Sequence, residues 1–374
     1  MTFNTLPLSQ PLQNRLKKLN YTQPTEIQRK AIPIILSGKD ILAAAQTGTG
    51  KTAAFGLPIL HQLSQTKKSC GTIKALIVAP TRELAAQIEQ SLDEYGKDLG
   101  ISTAVVYGGV KIGPQIARLQ ERVDILVATP GRLLDLHQQK ALSLAHCQCV
   151  VLDEADRMLD MGFIHDIRRI FSIVPKKRQT LLFSATFSKS IRALAKQFVY
   201  QAIEVSVTPP NSTAQTVNQL ICTVEKKQKS ALLTNLIYKE NWQQALVFTR
   251  TKHGANKLAQ QLSKADIHAA AIHGNKSQSA RTKALNGFKS GVIRVLVATD
   301  VAARGLDVEQ LPVVVNYELP QAAEDYVHRI GRTGRAGCEG KAISLVSYEE
   351  KSQLRSIERL IKKSLPQLVV DNMS

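Results

Sequence analysis

Cysteine is scarce in this chain, with five residues among 374: Cys70, Cys147, Cys149, Cys222 and Cys338. They form no paired framework of the kind that staples small secreted domains, which favours a reducing, cytoplasmic setting. No apolar run approaches the roughly 18 residues that a membrane span needs. Residues 1–10 also lack the basic-then-apolar layout of a signal peptide. We therefore expect neither a membrane protein nor a disulfide-stapled secreted domain.

Acidic residues are also few, 30 against 49 Lys and Arg, which leaves a net charge of +19. The excess is spread along the chain, because residues 1–207 hold 26 basic and 16 acidic residues and the rest hold 23 and 14. A polyanionic partner is the natural inference, with nucleic acid ahead of an anionic membrane surface. A basic surface that only aids solubility is the alternative.

Short aliphatic runs, each followed at once by a polar, Gly-bearing or charged cluster, recur along the chain. Such unbroken runs are typical of strands buried on both faces of a parallel sheet, and helical stretches at 82–96, 255–265 and 349–363 lie between or after them. This layering predicts an α/β fold with its chemistry at the carboxyl ends of the strands. The runs are DILAAAQTGTGKT, KALIVAPTREL, DILVATPGRLL, CVVLDEADRML, TLLFSATFSKS, QALVFTRTKHG, AAAIHGNKSQS, RVLVATDVAARGLD and VVVNYELPQAAEDY.

Residues 205–217, VSVTPPNSTAQTV, interrupt this pattern. The Pro209–Pro210 pair and the small polar residues indicate a linker. We predict a first domain over 1–207, a linker over 208–217 and a second domain over 218–374.

The stretch AQTGTGKT at 45–52 follows an aliphatic run and precedes a predicted helix. Gly48 and Gly50 allow a tight turn that aims backbone N–H groups at phosphate oxygens. Lys51 would reach the β- and γ-phosphates, and the Thr52 hydroxyl would ligate Mg²⁺. The usual pattern has glycine where Ala45 stands. A Gly-rich loop without a nucleotide is the alternative, which the preceding strand and following helix disfavour.

The stretch CVVLDEADRML places Asp153, Glu154 and Asp156 directly after an aliphatic run. Alone, such carboxylates also suit a helix start, near the positive end of the macrodipole. A phosphate-binding loop gives them another use, since a carboxylate at a strand end can hold its Mg²⁺. Asp153 is then predicted to hold Mg²⁺ through water, and Glu154 to act as general base on the attacking water. The spacing does not fit a Ca²⁺ loop.

These motifs, read in order, resemble those of the DEAD-box ATP-dependent RNA helicases, and the resemblance covers residues 1–365. The segments MGFIHDIRRI, RQTLLFSATFSKSIRALA and VFTRTKHGAN are most similar to the bacterial RhlE-type branch. The family's fold is two tandem RecA-like domains, each a mostly parallel sheet flanked by helices. Ala45 is also the usual residue of this family at that position.

The resemblance implies an adenine site in NYTQPTEIQ at 20–28, where Tyr21 would stack on adenine and Gln28 would hydrogen-bond its edge. Phe3 would be a supporting aromatic residue. The family has glycine where Asn20 stands, and asparagine tolerates left-handed backbone, so we expect little effect. Further nucleotide contacts are implied for Gln46, Thr47, Gly48, Thr49, Gly50, Lys51, Thr52, Gly305 and Asp307, the last at the ribose.

The arginine-dense stretch YVHRIGRTGRAG suits phosphate, because the planar guanidinium stays charged and pairs with phosphate oxygens. The resemblance makes Arg332 and Arg335 catalytic, together with Lys51, Asp153 and Glu154, by neutralising charge in the transition state. A contact with the nucleic-acid backbone is the alternative for these arginines. Coupling between ATP and RNA is implied for Asp156, Ser184, Thr186 and His328.

The resemblance also implies RNA-contacting loops, and a solvated surface is the alternative for those in the second domain. They comprise Pro80, Thr81, Arg82, Gly108, Gly109, Thr129, Pro130, Gly131 and Arg132 in the first domain, and Arg250, Thr251, Gly274, Arg281 and Thr299 in the second. His146, Cys147 and Cys149 lack a second Cys/His pair at zinc spacing and are expected to be structural.

The activity that the resemblance implies is RNA-stimulated ATP hydrolysis, coupled to domain closure and to local separation of RNA duplexes. RNA would be recognised by its backbone, largely independently of sequence, with ribosome-assembly or RNA-decay factors as protein partners. The alternatives are a DNA-directed helicase, an ATP-gated RNA clamp or remodelling platform, and a small-molecule phosphotransferase. The last would leave the charge of +19 unexplained.

Overall fold

The computed structural model describes residues 2–45, 48–66, 71–185, 187–207, 217–303, 308, 311–334 and 340–368. The chain divides into two compact units, Met1–Pro210 and Asn211–Ser374. Of the predicted linker, 208–216 lies outside the described residues, and Val217 already belongs to a strand. Each unit is a parallel sheet with helices packed on it.

The first unit opens with a short 3₁₀ turn, Phe3–Thr5, and then alternates helices and strands. They are α1 (Gln10–Lys18), α2 (Glu26–Leu36), β1 (Ile41–Ala44), α3 (Lys51–Gln65), β2 (Ala75–Val78), α4 (Arg82–Gly96), β3 (Thr103–Val106), α5 (Gly113–Gln120), β4 (Ile125–Ala128), α6 (Pro130–Gln138), β5 (Cys149–Leu152), α7 (Ala155–Asp160), α8 (Ile164–Ile173), β6 (Gln179–Ser184), α9 (Lys189–Phe198) and β7 (Ile203–Ser206).

The first sheet has the strand order β3-β4-β2-β5-β6-β1-β7, and every pair is parallel. Each of its two faces packs into an apolar core, which is why β1, β2, β4 and β5 are buried along their whole length. The register aligns Ala44 with Ser184, and Leu152 with Leu182 and Val78. The loops after β1, β2, β5 and β6 therefore leave the sheet at one edge.

The second unit repeats the plan with the strand order β10-β11-β9-β12-β13-β8, again parallel throughout. A second 3₁₀ turn, Tyr348–Glu350, precedes its last helix. The elements are β8 (Val217–Thr223), α10 (Lys229–Lys239), β9 (Ala245–Thr249), α11 (Lys252–Lys264), β10 (Ala269–Ile272), α12 (Gln278–Lys289), β11 (Val295–Thr299), α13 (Asp300–Ala303), β12 (Val313–Asn316), α14 (Ala323–Ile330), β13 (Gly340–Val346) and α15 (Lys351–Ile361).

Every aliphatic run singled out in the sequence forms a strand, and α4 has the predicted bounds, Arg82–Gly96. The α/β fold of two parallel sheets is thus confirmed. Four strands, β3, β7, β8 and β13, were not predicted. Of these, β3, β7 and β8 lie at sheet edges. In β7 and β8, exposed residues interrupt the buried ones, so these two strands lack an unbroken apolar run. In the part of the chain that the structure describes, no helix combines the length and apolarity that crossing a bilayer requires.

Candidate active site

The phosphate-binding loop turns through two glycines with left-handed backbone, Gly48 at φ 80° and Gly50 at φ 89°. Gly50 caps helix α3, which begins at Lys51. The Lys51 side chain is buried, and among the described residues its Nζ has no hydrogen-bond partner. A buried ammonium without hydrogen bonds is costly, and an anion at the helix N-terminus would supply them. These residues therefore fit a phosphate group.

Gln28 braces this loop from helix α2. Its Nε2 donates to the Gly50 carbonyl at 3.1 Å, and its Oε1 accepts from the Thr25 N–H at 2.9 Å, within the capping box of α2. A Cβ at position 50 would lie 2.3 Å from Gln28 Nε2, so the approach requires glycine. An amide has two N–H groups and two lone pairs, so one of each is left for the edge of a base.

Tyr21 lies between two other aromatic rings. Its centroid is 5.8 Å from both Phe3 and Tyr95, each edge to face, and its hydroxyl is 2.9 Å from that of Tyr95. Burial, together with this hydrogen bond, raises the pKa of the Tyr95 hydroxyl. Asn20 adopts φ 58°, the left-handed backbone expected of it. The three rings fix Tyr21 on the first unit while leaving it half-buried.

Asp153 directly follows β5 and is almost fully buried. Burial raises the pKa of its carboxyl to about 6, an effect that Lys51 opposes and Glu154 adds to. A cation beside Asp153 would restore its charge, so the carboxyl fits Mg²⁺, with Thr52 half-buried at the start of α3. Within the described ranges, no cluster of three or more His, Cys, Asp or Glu forms a metal site. At nucleotide sites, Mg²⁺ is usually held by one or two carboxylates together with phosphate oxygens.

Glu154 holds an unusual backbone conformation, at φ 53° and ψ 51°, and caps α7. Its Oε2 lies 3.2 Å from Nη1 of Arg157, and both side chains are buried. Left-handed backbone at a residue other than glycine is sparsely populated and clusters at functional sites. Sequence reasoning missed Arg157, although its position three residues after Glu154 in a helix is a known pairing distance.

Asp156 connects α7 to the end of β6. Its Oδ2 accepts from the Ala185 N–H at 3.0 Å, and its Oδ1 accepts from the Arg157 N–H at 3.0 Å. Ser184, the preceding residue, is fully buried at the end of β6. The structure thus brings Asp156 to the Ser184–Ala185 segment that sequence reasoning linked to it.

The three predicted RNA loops that follow β2, β3 and β4 contact one another. The Arg82 guanidinium lies against Gly109, where a Cβ would fall 2.1 Å from Nη1. Arg132 donates from Nη2 to the Val110 carbonyl at 3.1 Å, and its Nε is 3.6 Å from Asp135. These contacts connect the three loops into one basic surface at the edge of the first sheet.

The remaining residues of these loops shape the helix starts. Thr81 caps α4 by accepting from the Leu84 N–H at 3.4 Å. Thr129 precedes α6, whose first residue is Pro130, and the following Gly131 is exposed. Pro80 is buried, and Gly108 is half-buried with open space where a Cβ would stand. Backbone N–H groups at helix starts are suited to bind phosphate.

Arg250 in the second unit is held by a buried carboxylate. Its Nη2 lies 2.6 Å from Glu350 Oε1, and its Nε donates to the Leu319 carbonyl at 2.8 Å. Lys229 pairs with the other oxygen of Glu350. Burial opposes ionisation of Glu350, but Lys229 and the N–H groups of Ser347 and Leu319 hold its pKa low. The guanidinium predicted to contact RNA thus also anchors its own loop.

The other predicted RNA residues of the second unit follow β9, β10 and β11. Thr251 caps α11 by accepting from the Gly254 N–H at 2.9 Å. Thr299 ends β11 and is buried, Arg281 on α12 is also buried, and Gly274 is exposed. They lie at the carboxyl edge of the second sheet or on the helix that follows β10, as expected from the alternating plan.

Arg329 and Asp300 form a pair that sequence reasoning missed. Nε and Nη2 of Arg329 meet the two carboxylate oxygens of Asp300 at 2.6 and 2.7 Å. Nη1 donates to Asn316 Oδ1 at 3.0 Å, and the guanidinium lies 4.9 Å from the Phe248 ring centroid. Arg329 is therefore a buried brace of α14, although it stands in the same arginine-dense motif as Arg332.

Arg332 is buried just after α14, and His328 is half-buried within it. The thiol of Cys147 donates to the Cys149 carbonyl at 3.2 Å, and burial raises the pKa of Cys147 to about 12. Some predicted site residues lie outside the described residues: Gln46, Thr47, Thr186, Gly305, Asp307 and Arg335.

Comparison with known proteins identifies two family models in the chain. Residues 25–194 match the DEAD/DEAH box helicase model, and residues 228–337 match the helicase conserved C-terminal domain. The chain is 43% identical over 368 residues to the DEAD-box ATP-dependent RNA helicase CshA of Bacillus subtilis, which covers 98% of this chain and 74% of that protein. It is 44% identical to CshA of Geobacillus kaustophilus, with 98% and 78% covered. These names do not support the RhlE-type branch.

The fold is also similar to solved helicase structures. S. cerevisiae Dbp5 bound to RNA and ADP BeF3 gives a TM-score of 0.89 at 32% identity, with 98% of this chain and 95% of that chain covered. Mss116p bound to ssRNA and AMP-PNP gives 0.89 at 29% identity, with 99% and 80% covered. The phosphate loop, the acidic cluster and the similarity to these relatives show that the chain belongs to the DEAD-box family of ATP-dependent RNA helicases.

Proposed function

We propose that Lys51 binds the β- and γ-phosphates of ATP, that Thr52 and Asp153 hold Mg²⁺, and that Glu154 is the general base. The observation that carries this assignment is the buried Lys51 ammonium near the buried Asp153 carboxyl, whose pKa is raised to about 6. When bound, Mg²⁺ would neutralise charge on the phosphate oxygens. Such a pair of buried groups is suited to a dianionic ligand with its cation.

Arg157 positions Glu154 for this role. The Arg157 guanidinium, 3.2 Å away, makes a charge-assisted contact with one oxygen of the Glu154 carboxylate. It also restricts the rotation of the Glu154 side chain, so that the other oxygen can face a water. As Glu154 takes a proton from that water, the water oxygen would bond to the γ-phosphorus. The bond from this phosphorus to the bridging oxygen of ADP would break on the opposite side.

We further propose that RNA lies on the basic loops after β2, β3 and β4, where Arg82 and Arg132 are already held in place. The RNA in the Dbp5 and Mss116p structures supports a nucleic-acid ligand of this kind. Contacts through Arg250, Thr251, Gly274, Arg281 and Thr299 are proposed on the resemblance alone. Backbone-directed binding would make the affinity fall steeply with salt.

Completion of the ATP site by Arg332 and Arg335, coupling through Asp156, Ser184, Thr186 and His328, and duplex separation by closure of the two units are parts of the same proposal. ATP and RNA should then each strengthen the binding of the other. The free, buried thiols Cys147, Cys149 and Cys222 support a reducing, cytoplasmic location. Ribosome-assembly or RNA-decay factors are proposed as protein partners. The assignment to the RhlE-type branch rests only on the sequence segments quoted above.

The test is ATP turnover of the full chain with RNA, with single-stranded DNA and with no nucleic acid, at two salt concentrations, for the wild type and Glu154→Gln. We expect RNA, but not single-stranded DNA, to stimulate ATP turnover by the wild type. We expect Glu154→Gln to bind ATP and RNA without turnover. Glu94→Gln, at an exposed glutamate, is the matched control. Turnover by Glu154→Gln at the wild-type rate would exclude Glu154 as the base. Stimulation without strand separation would favour the RNA clamp.

A further inference from the structure

The four edge strands of the two sheets differ in what bonds to their outer side. An uncovered edge strand presents N–H and C=O groups that can pair with another chain. Three edge strands have a hydrogen-bond partner on their outer side. Arg118 Nη2 donates to the Thr103 carbonyl of β3 at 2.6 Å, and Lys30 Nζ donates to the Ser206 carbonyl of β7 at 3.2 Å. The Ile221 carbonyl of β8 accepts from the Leu368 N–H at 2.7 Å.

The fourth edge strand, β10, differs from these three. The His268 carbonyl accepts from the Val295 N–H of β11 at 3.0 Å, and in a parallel ladder alternate residues face the same neighbour. The backbone groups of Ala269 and Ala271 therefore point away from β11. Within the described ranges, no side chain or other segment bonds to them. Both alanines are half-buried, whereas β9 and β11 are buried throughout.

A groove of about 840 Å³ lies along this edge. Helices α11 and α12, which both contact β10, form its walls, and Ala269–Ala271 form its floor. The methyl side chains on the floor leave space for larger side chains of an added strand. The groove thus has the shape that strand addition requires: an open strand edge between two flanking helices.

The charge on the groove has one sign. Lys264, Lys276 and Lys283 line it, and no carboxylate is among the described residues of its lining. An acidic occupant is complementary to these lysines. A second copy of the same groove would bring like charges together, which disfavours pairing of two β10 strands.

We propose that this groove binds an extended, acidic peptide segment of a partner protein, which adds as a strand to β10. Ala269 and Ala271 supply alternating N–H donors and C=O acceptors, and a peptide backbone matches both kinds of group. An RNA backbone is rich in acceptors and leaves the outward carbonyls without regular partners. The three lysines would then select acidic side chains on the added strand.

The test measures anisotropy of a fluorescein-labelled decapeptide of alternating Glu and Val with the full chain. We expect saturable binding that is lost when Lys replaces Glu in the peptide. It is also lost when alternate backbone nitrogens of the peptide are methylated, which removes its donors but keeps its charge. Ala271→Pro removes one outward N–H and leaves the bonds to β11, since proline is tolerated on strand edges. We expect it to weaken binding about tenfold.

Charge reversal at Lys264, Lys276 and Lys283 should weaken peptide binding, whereas reversal at the exposed Lys226, Lys227 and Lys363 should not. RNA-stimulated ATP turnover by Ala271→Pro would show that this variant is folded. If the variant does not fold, the methylated peptide still tests strand addition, because it is measured with the wild type. Equal binding of methylated and unmethylated peptide would overturn strand addition. Displacement of the peptide by a single-stranded RNA would make the groove an RNA contact. A dimer that Ala271→Pro dissociates would make a second copy the occupant.

Discussion

Gln28 and Gly50, which are 22 residues apart, are joined by a hydrogen bond of 3.1 Å from the glutamine amide to the glycine carbonyl. Gly50 is the residue that turns the phosphate loop into α3. The side chain predicted to recognise adenine therefore also determines the position of the loop that would hold the phosphates. Loss of this amide should affect both parts of the nucleotide site at once.

Gln28→Glu should weaken ATP binding and relax the preference for ATP over GTP. A carboxylate can still accept from the Thr25 N–H, which keeps the capping box, but it cannot donate to the Gly50 carbonyl. The loss of one buried hydrogen bond and the repulsion between two oxygens correspond to about tenfold or more in Kd. Titration with fluorescent ATP and GTP analogues measures both effects.

Gln197→Glu is the matched control, because Gln197 is an exposed residue of α9 whose Oε1 already accepts from Arg168. It should bind ATP like the wild type. If Gln28→Glu bound ATP with wild-type affinity and an unchanged nucleotide preference, Gln28 would have neither role, and its contact with Gly50 would matter only for folding.

Mg²⁺ dependence should change with pH through Asp153. Burial raises the pKa of this carboxyl from 3.8 to about 6, so below pH 6 it is mostly protonated and neutral. Mg²⁺ then has to displace a proton, and the Mg²⁺ concentration for half-maximal ATP turnover should rise by up to about tenfold per pH unit as the pH falls below 6. Above pH 7 the requirement should be flat. ATP turnover at several Mg²⁺ concentrations between pH 5 and 8 measures this.

The same raised pKa affects the nucleotide-free protein with a definite sign. Between pH 4 and 6 the folded state keeps a proton on Asp153 that the unfolded state has released, so the free energy of unfolding decreases as the pH rises through this window. Asp153→Asn should remove this contribution.

A Mg²⁺ requirement that is independent of pH between 5 and 8 would argue against Asp153 as the group that holds Mg²⁺.

The strands that consist of unbroken apolar runs, and the polar clusters that follow them, were predictable because they depend on local sequence. An unbroken run such as the one ending at Leu152 is buried on both faces wherever the sheet places it, and the polar residues that follow must leave at the carboxyl edge. The pairs Glu154–Arg157 and Asp300–Arg329 were not predicted. Asp300 and Arg329 are 29 residues apart, and only the packing of α14 on the sheet brings them together.

Arg250 is a case in which the sequence predicted a functional role but did not reveal a structural one. Its position in a motif indicated RNA, but the motif does not reveal that Glu350, 100 residues later, takes up its guanidinium. An isolated basic residue in a sequence can serve a ligand, a fold or both. The choice depends on which carboxylates the fold places nearby, and this information is absent from local spacing.

Arg329→Met should destabilise the second unit by about 3 kcal/mol, because it leaves Asp300 and the Asn316 amide without their shared partner. Trp242 is the only tryptophan in the chain and is buried in the second unit, so its fluorescence during urea unfolding reports on that unit. Arg329→Met with Asp300→Asn should recover part of the loss. Equal stability of the single variant and the wild type would show that the pair contributes little.

RNA affinity should depend on Gly109 far more than on the adjacent Gly108. A methyl group at position 109 would overlap the Arg82 guanidinium, with 2.1 Å to Nη1, and φ of +76° is unfavourable for alanine. Gly109→Ala should therefore displace Arg82 and weaken RNA binding several-fold, while ATP affinity without RNA is unchanged. Anisotropy of a labelled single-stranded RNA at low and moderate salt measures the effect.

Gly108→Ala is the matched control, since a Cβ at position 108 meets nothing within 4 Å. Arg82→Ala should reproduce the loss in RNA affinity and abolish any further effect of Gly109→Ala, because both changes act through the same guanidinium. If the two glycine variants bound RNA equally well, the contact between Arg82 and Gly109 would have no part in RNA binding. If both lost affinity equally, the loop backbone itself, and not the position of Arg82, would be the RNA-binding element.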